Sequence, residues 1–161
     1  MEYFLTDTEI DTLIKEEKRI DQSLSDFSRK FKEKKGHKEF DLTVTRPDNS
    51  AFKIIIRQSI ENPLDFSAIL GFIPPNKNDV FLLRRYNGKS HEHRNKLEIE
   101  PVFYDFHIHT ATERYQQDGQ REEYYAEVTE RYSDLHTAIE CLIADCKIIL
   151  DDTQINLFTE N

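Results

Sequence analysis

The chain has 161 residues, the size of one domain with a single core and no second unit. Hydrophobic residues make up 37% and charged residues 33%, polar for a globular protein, yet 11 Phe and 7 Tyr exclude a disordered chain. With 22 basic and 31 acidic residues the formal charge is -9, a field that repels nucleic acid and anionic membranes unless basic side chains gather locally.

Thr6 and Glu9 have the spacing of a capping box, and Ile10, Leu13, Ile14, Ile20, Leu24, Phe27 and Phe31 follow at roughly helical spacing. The pattern predicts a helix over 6–35, with a break near Ile20 allowed, and makes the basic run Arg29 to Lys38 its solvated end. From Glu39 the period changes to two. Phe40, Leu42 and Val44 alternate with polar residues, "RPDNS" is a turn, and "AFKIII" completes a β-hairpin. "DFSAILGFI" predicts a third strand stopped by Pro74 and Pro75, and "DVFLLRRY" a fourth ended by Asn87-Gly88.

"LEIEPVFYDFHIHTATERY" alternates again, with Pro101 at an edge, a bulge or a bend. "YAEVTERY" predicts the last strand, so the strands fall between residues 39 and 132. Ser133 is positioned to cap a helix over 134–148, whose apolar residues recur at four and three. The tail 151–161 has no assignment. The expected fold is a single α+β domain, 1–161, with an antiparallel sheet of five to seven strands and both terminal helices packed on one face.

Cys141 and Cys146 fall on different faces of that last helix and are expected to be reduced packing residues. "MEYFLTDTEI" has no basic leader, and no apolar run approaches the ~20 residues of a membrane span. A cytoplasmic protein without a membrane partner is the expectation.

Four of the six histidines lie between residues 91 and 109 as two His-x-His pairs. In "YDFHIHTA" the period of two sends Phe106 and Ile108 to the core and His107 and His109 to the other, uncovered face, about 7 Å apart. Either Arg84 with Tyr86 or Arg85 with Leu83 shares that face. His91 and His93 follow a turn, and a chain that doubles back there brings all four imidazoles together. The plain alternative is a wet sheet face and a surface loop.

Three functions compete. Acid and base cleavage of an RNA phosphodiester without metal uses His107 with His109 or His91, and Arg84, Arg85 or Lys89 to hold the phosphate, with Asn87 and Arg94 nearby. A site for zinc or another divalent transition metal uses His91, His93, His107 and His109 with a carboxylate from Glu92, Glu98, Asp105 or Glu113. "HEHRNKLE" has the histidine and glutamate spacing of a first cupin motif, without its glycines or a second motif. Recognition without catalysis is the third: an acidic surface binds a basic partner, as phage anti-defence and immunity proteins do. His-x-Ser/Thr phosphoesterase pairs, a Walker loop, a dinucleotide fingerprint and a nucleophile elbow are absent, and the chain is too short for a metal-dependent barrel hydrolase.

At "LLRRYNGKSHEHRNKLE", "FYDFHIHTATERY" and "RYSDLHTAIECLIADC" the chain resembles a family of small bacterial proteins of uncharacterised function, often carried on prophages and other mobile elements. This resemblance runs roughly from Thr6 to Ile148 and implies no activity. A looser one, over about a third of the chain, is to the TumE-type toxins of toxin–antitoxin pairs, through Arg85, Tyr86, His91, His107 and His109. Asn87 stands where those toxins usually carry Asp, and "GKSHEH" replaces their paired histidines after a proline. This likeness implies a catalytic role for those five residues, RNA as substrate and a cognate antitoxin as partner, whereas the recognition reading makes a host defence protein the partner. Exposed sheet edges also leave room for a homodimer.

Overall fold

Helix α1 spans Asp7–Lys15 in the computed structural model, which describes residues 3–21, 23, 26–98 and 101–151. It opens on the expected capping box: Thr6 Oγ1 accepts from the Glu9 amide at 3.1 Å, and Glu9 Oε1 accepts from the Thr6 amide at 3.0 Å. The helix does not reach residue 35. Glu16 is extended, and the buried Lys18 ammonium turns back to donate to the Leu13, Ile14 and Glu16 carbonyls at 2.9, 2.9 and 2.6 Å. These are acceptors that another helical turn would have used. The same ammonium reaches the Cys146 carbonyl at 2.8 Å and so ties the helix end to the C-terminal segment.

Lys18–Arg19 forms β1, Asp26–Arg29 a single turn α2, and Lys32–Lys34 the strand β2. The basic run is therefore a hairpin edge and not a helix end, turned through Gly36 at φ 83°. Leu24 lies outside the described residues.

Strands β3 (His37–Thr45) and β4 (Ala51–Ser59) make the expected hairpin, with Phe40 opposite Ile56. Strands β5 (Phe66–Ile73), β6 (Phe81–Asn87), β7 (His107–Thr110) and β8 (Ala126–Val128) continue it. The result is a seven-stranded antiparallel sheet in the order β2-β3-β4-β5-β6-β7-β8. Helix α3 (Glu113–Gln117) interrupts the stretch after β7, helix α4 (Leu135–Asp145) follows β8, and β9 (Ile148–Ile149) pairs parallel with β1.

Register decides the faces. Phe40, Ile56, Ala68, Tyr86 and Ile108 lie opposite one another in a row across five strands. They share one core with Ile10, Leu13 and Ile14 of α1 and Leu135, Ala138, Ile139 and Leu142 of α4. Burying each large side chain there contributes roughly 1.5–3 kcal/mol. Both helices thus cover one face, as expected.

Several elements are shorter than the alternation suggested. Among the described residues of "LEIEPVFYDFHIHTATERY", which leave out Ile99 and Glu100, the one strand is His107–Thr110; Thr112 caps α3 with its side chain. "YAEVTERY" yields three strand residues, and Tyr132 leaves the sheet to donate its hydroxyl to the Asn87 carbonyl at 2.7 Å. The last helix runs 135–145, capped by Asp134 and not Ser133; Lys147 at φ 53° then turns the chain into β9. The tail beyond 151 lies outside the described residues. Cys141 and Cys146 are free thiols, and among the described residues no helix is long and apolar enough to cross a membrane.

Candidate metal centre

His107 and His109 point away from the helices, as their alternation with Ile108 requires. His107 lies opposite Asn87, and His109 lies opposite Arg85, on β6. Arg85 and Asn87 therefore take the histidine face, while a shift in the β5-β6 register between Leu70 and Gly71 breaks the alternation and leaves Leu83 in the core. Arg84 and Tyr86 face the helices. The Tyr86 hydroxyl donates to Asp145 Oδ2 at 2.6 Å, and Arg84 stacks over the Tyr86 ring, so neither reaches the histidines.

The histidine face is not bare. His107 and His109 are 0% and 2% exposed because the segment between β6 and β7 folds back over them. His93 and Phe103 within that segment exchange both backbone hydrogen bonds at 2.9 Å. Asn95 pins it to the sheet edge: Nδ2 donates to the Ala126 carbonyl at 2.8 Å, and Oδ1 accepts from the Ala126 amide at 2.9 Å. The Tyr115 hydroxyl holds the next turn, accepting from the Leu97 amide at 3.1 Å and donating to Glu98 Oε2 at 2.5 Å. Gly88 starts the fold-back, where a side chain would run into the Leu64 carbonyl.

This cover delivers a third imidazole. One nitrogen from each of His93, His107 and His109 lies within 4.8 Å of the other two, all three side chains buried. On each ring one nitrogen is spoken for. His107 Nδ1 donates to the Asp105 carbonyl at 2.8 Å and His109 Nδ1 to the Glu123 carbonyl at 2.9 Å. Carbonyls only accept, so both rings keep the lone pair on Nε2. Asn95 Oδ1, its identity set by the Ala126 amide, accepts from His93 Nε2 at 2.9 Å and leaves the lone pair on Nδ1. His107 Nε2 is buried and has no hydrogen-bond partner among the described residues.

Burial keeps these rings neutral. It pulls His107 down to about 4 and, with the Arg85 charge next in weight, His109 down to about 2. His93 is lowered by burial too, against the opposing hydrogen bonds to Asn95 and the Tyr124 backbone. Beside them is an ionic group centred on the buried Glu123: Arg85 Nη2 lies 3.1 Å from Glu123 Oε2, and the exposed Arg121 brings its Nε to 3.3 Å from Glu123 Oε1.

The other expected site residues lie further out. His91 is exposed and outside the three-nitrogen group, its ring edge-on to His107 with centroids 6.0 Å apart. Asn87 shares the face but is buried, accepting from Ser67 Oγ at 2.8 Å. Lys89 sits over the Phe106 ring at 5.3 Å, and Arg94 is exposed. None of Glu92, Glu98, Asp105 and Glu113 joins the nitrogen group; Asp105 takes part only through its backbone carbonyl. Sequence reasoning missed Asn95 and Glu123. Asn95 follows His93 by two, which an extended loop strand puts on the same side; Glu123 left no signal.

Comparison with known family models, curated proteins and solved structures finds no match.

Proposed function

We propose that this protein is a metalloprotein whose activity resides at His93, His107 and His109, holding Zn²⁺ or a similar divalent transition metal and using a fourth position for metal-assisted hydrolysis. The observation that carries this reading is the convergence of three neutral imidazoles, each with one nitrogen held by an oxygen acceptor and the other left with its lone pair. That second layer sets tautomer and ring direction, as in histidine-ligated metal sites generally. His93, His107 and His109 would be the protein ligands, and a tetrahedral ion with Zn–N of about 2.0–2.1 Å would draw their nitrogens closer than the 4.8 Å within which they lie. Three protein ligands and one exchangeable position make the arrangement that lowers bound water toward a pKa of about 7.

Metal-free cleavage of RNA by paired histidines would need a ring that titrates near the working pH. His107 near 4 and His109 near 2 sit well below that range, which favours the metal reading. Calorimetric titration of the purified, metal-stripped chain with Zn²⁺ tests it. One equivalent is expected to bind, with affinity falling about a hundred-fold in His107→Ala. Absence of binding, or binding unchanged by His107→Ala, overturns the proposal.

A further inference from the structure

The charges around the three histidines select what occupies the fourth position. Three imidazoles that keep their protons on carbonyl- and amide-bonded nitrogens contribute no negative charge, so a divalent ion there retains its full charge in a buried site. No carboxylate belongs to the nitrogen group among the described residues. The residue opposite His109 across β6 and β7 is Arg85, positive as well. Glu123 pairs with Arg85 and with the exposed Arg121, which offsets Arg85 but leaves the charge of the ion itself uncompensated. Excess positive charge out of water is costly, and an anionic ligand relieves it.

Arg85 has a donor to offer such a ligand. Its Nη2 faces Glu123, whereas its Nε is buried and has no hydrogen-bond partner among the described residues. A guanidinium edge beside a metal matches an anion with two oxygens, one for each. We propose that the fourth ligand is a small oxyanion group, a carboxylate or a phosphoryl oxygen, bound by the metal through one oxygen and by Arg85 through another. The proposal rests on the metal reading above and names the substrate class of that site. Arg85 is then a substrate-binding residue, and Glu123 a positioning residue that holds Arg85 through its carboxylate and His109 through its carbonyl.

The test uses the full chain loaded with Co²⁺, whose visible bands report the ligands of the ion. Sodium acetate, inorganic phosphate and sodium chloride are titrated separately. Acetate or phosphate is expected to change the spectrum saturably and chloride far more weakly; the tighter of the two identifies the carboxylate or phosphoryl class. Arg85→Met should weaken the oxyanion by about ten-fold or more while leaving one equivalent of Co²⁺ bound. Because Arg85→Met strands Glu123, the double variant Arg85→Met with Glu123→Gln is measured beside it. Bands that ignore both oxyanions, or variants that titrate like the parent, overturn the oxyanion proposal and leave the metal reading standing. Failure of Co²⁺ to bind the parent chain overturns the metal reading itself.

Discussion

His107 carries the most information of any single residue. It is fully buried, its Nδ1 is committed to the Asp105 carbonyl, its Nε2 has no hydrogen-bond partner among the described residues, and its ring lies against those of His93 and His109. An unfolded histidine takes its proton near 6.5, whereas His107 in the fold holds out to about 4. The neutral ring is thus favoured by folding: its contribution is complete above about pH 6.5 and is lost as pH falls toward about 4, a difference of roughly 3 kcal/mol. Urea unfolding of the metal-free chain should lose stability between about pH 6.5 and pH 5 more steeply than that of His107→Gln. Equal slopes would contradict the assignment. The sequence showed which way His107 and His109 face, because a period of two needs only the neighbouring Phe106 and Ile108. Their burial was not legible, since the cover is an irregular loop directly before β7 whose fold-back leaves no hydrophobic period.

At the scale of elements, the segment between β6 and β7 makes the site. It brings His93 over the sheet, and Asn95 latches it to β8 by a two-way amide bond with Ala126. Removing that side chain leaves a buried amide and carbonyl unpaired at about 1–3 kcal/mol each. Asn95→Ala is expected to speed amide exchange at Ala126 and His93 and to weaken Zn²⁺ binding, with α1 and α4 unaffected. Uniform protection across the chain would show that the latch is not needed. The long N-terminal helix expected from Ile20, Leu24, Phe27 and Phe31 failed for a related reason. Lys18 reads as a polar helix position, yet it is buried with its ammonium on four carbonyls and a ring, Phe52, 4.4 Å below. A buried, fully bonded lysine leaves no trace in hydrophobic spacing. The β3-β4 hairpin was legible because its alternation, turn and partner are contiguous.

For the molecule as a whole, one face of the sheet carries the helices and the other carries the histidines under their own loop. The edge strand β2 presents Lys32, Glu33 and Lys34, and charge of this kind blunts edge-to-edge pairing. The net charge of -9 disfavours long nucleic acids away from the site, while Arg85 and a bound metal would form a local positive point. If the chain hydrolyses RNA or a small phosphodiester, EDTA should abolish the activity and Zn²⁺ restore it. Cleavage that survives EDTA and disappears in His107→Ala would favour acid and base catalysis instead.

X-ray absorption at the zinc edge of the loaded 161-residue chain tests most directly whether three imidazoles from two segments meet on one ion. Four nitrogen or oxygen neighbours at about 2.0 Å, with the outer-shell scattering of three imidazole rings, are the predicted result. A shell of oxygens alone, or one with fewer than three rings, would contradict it.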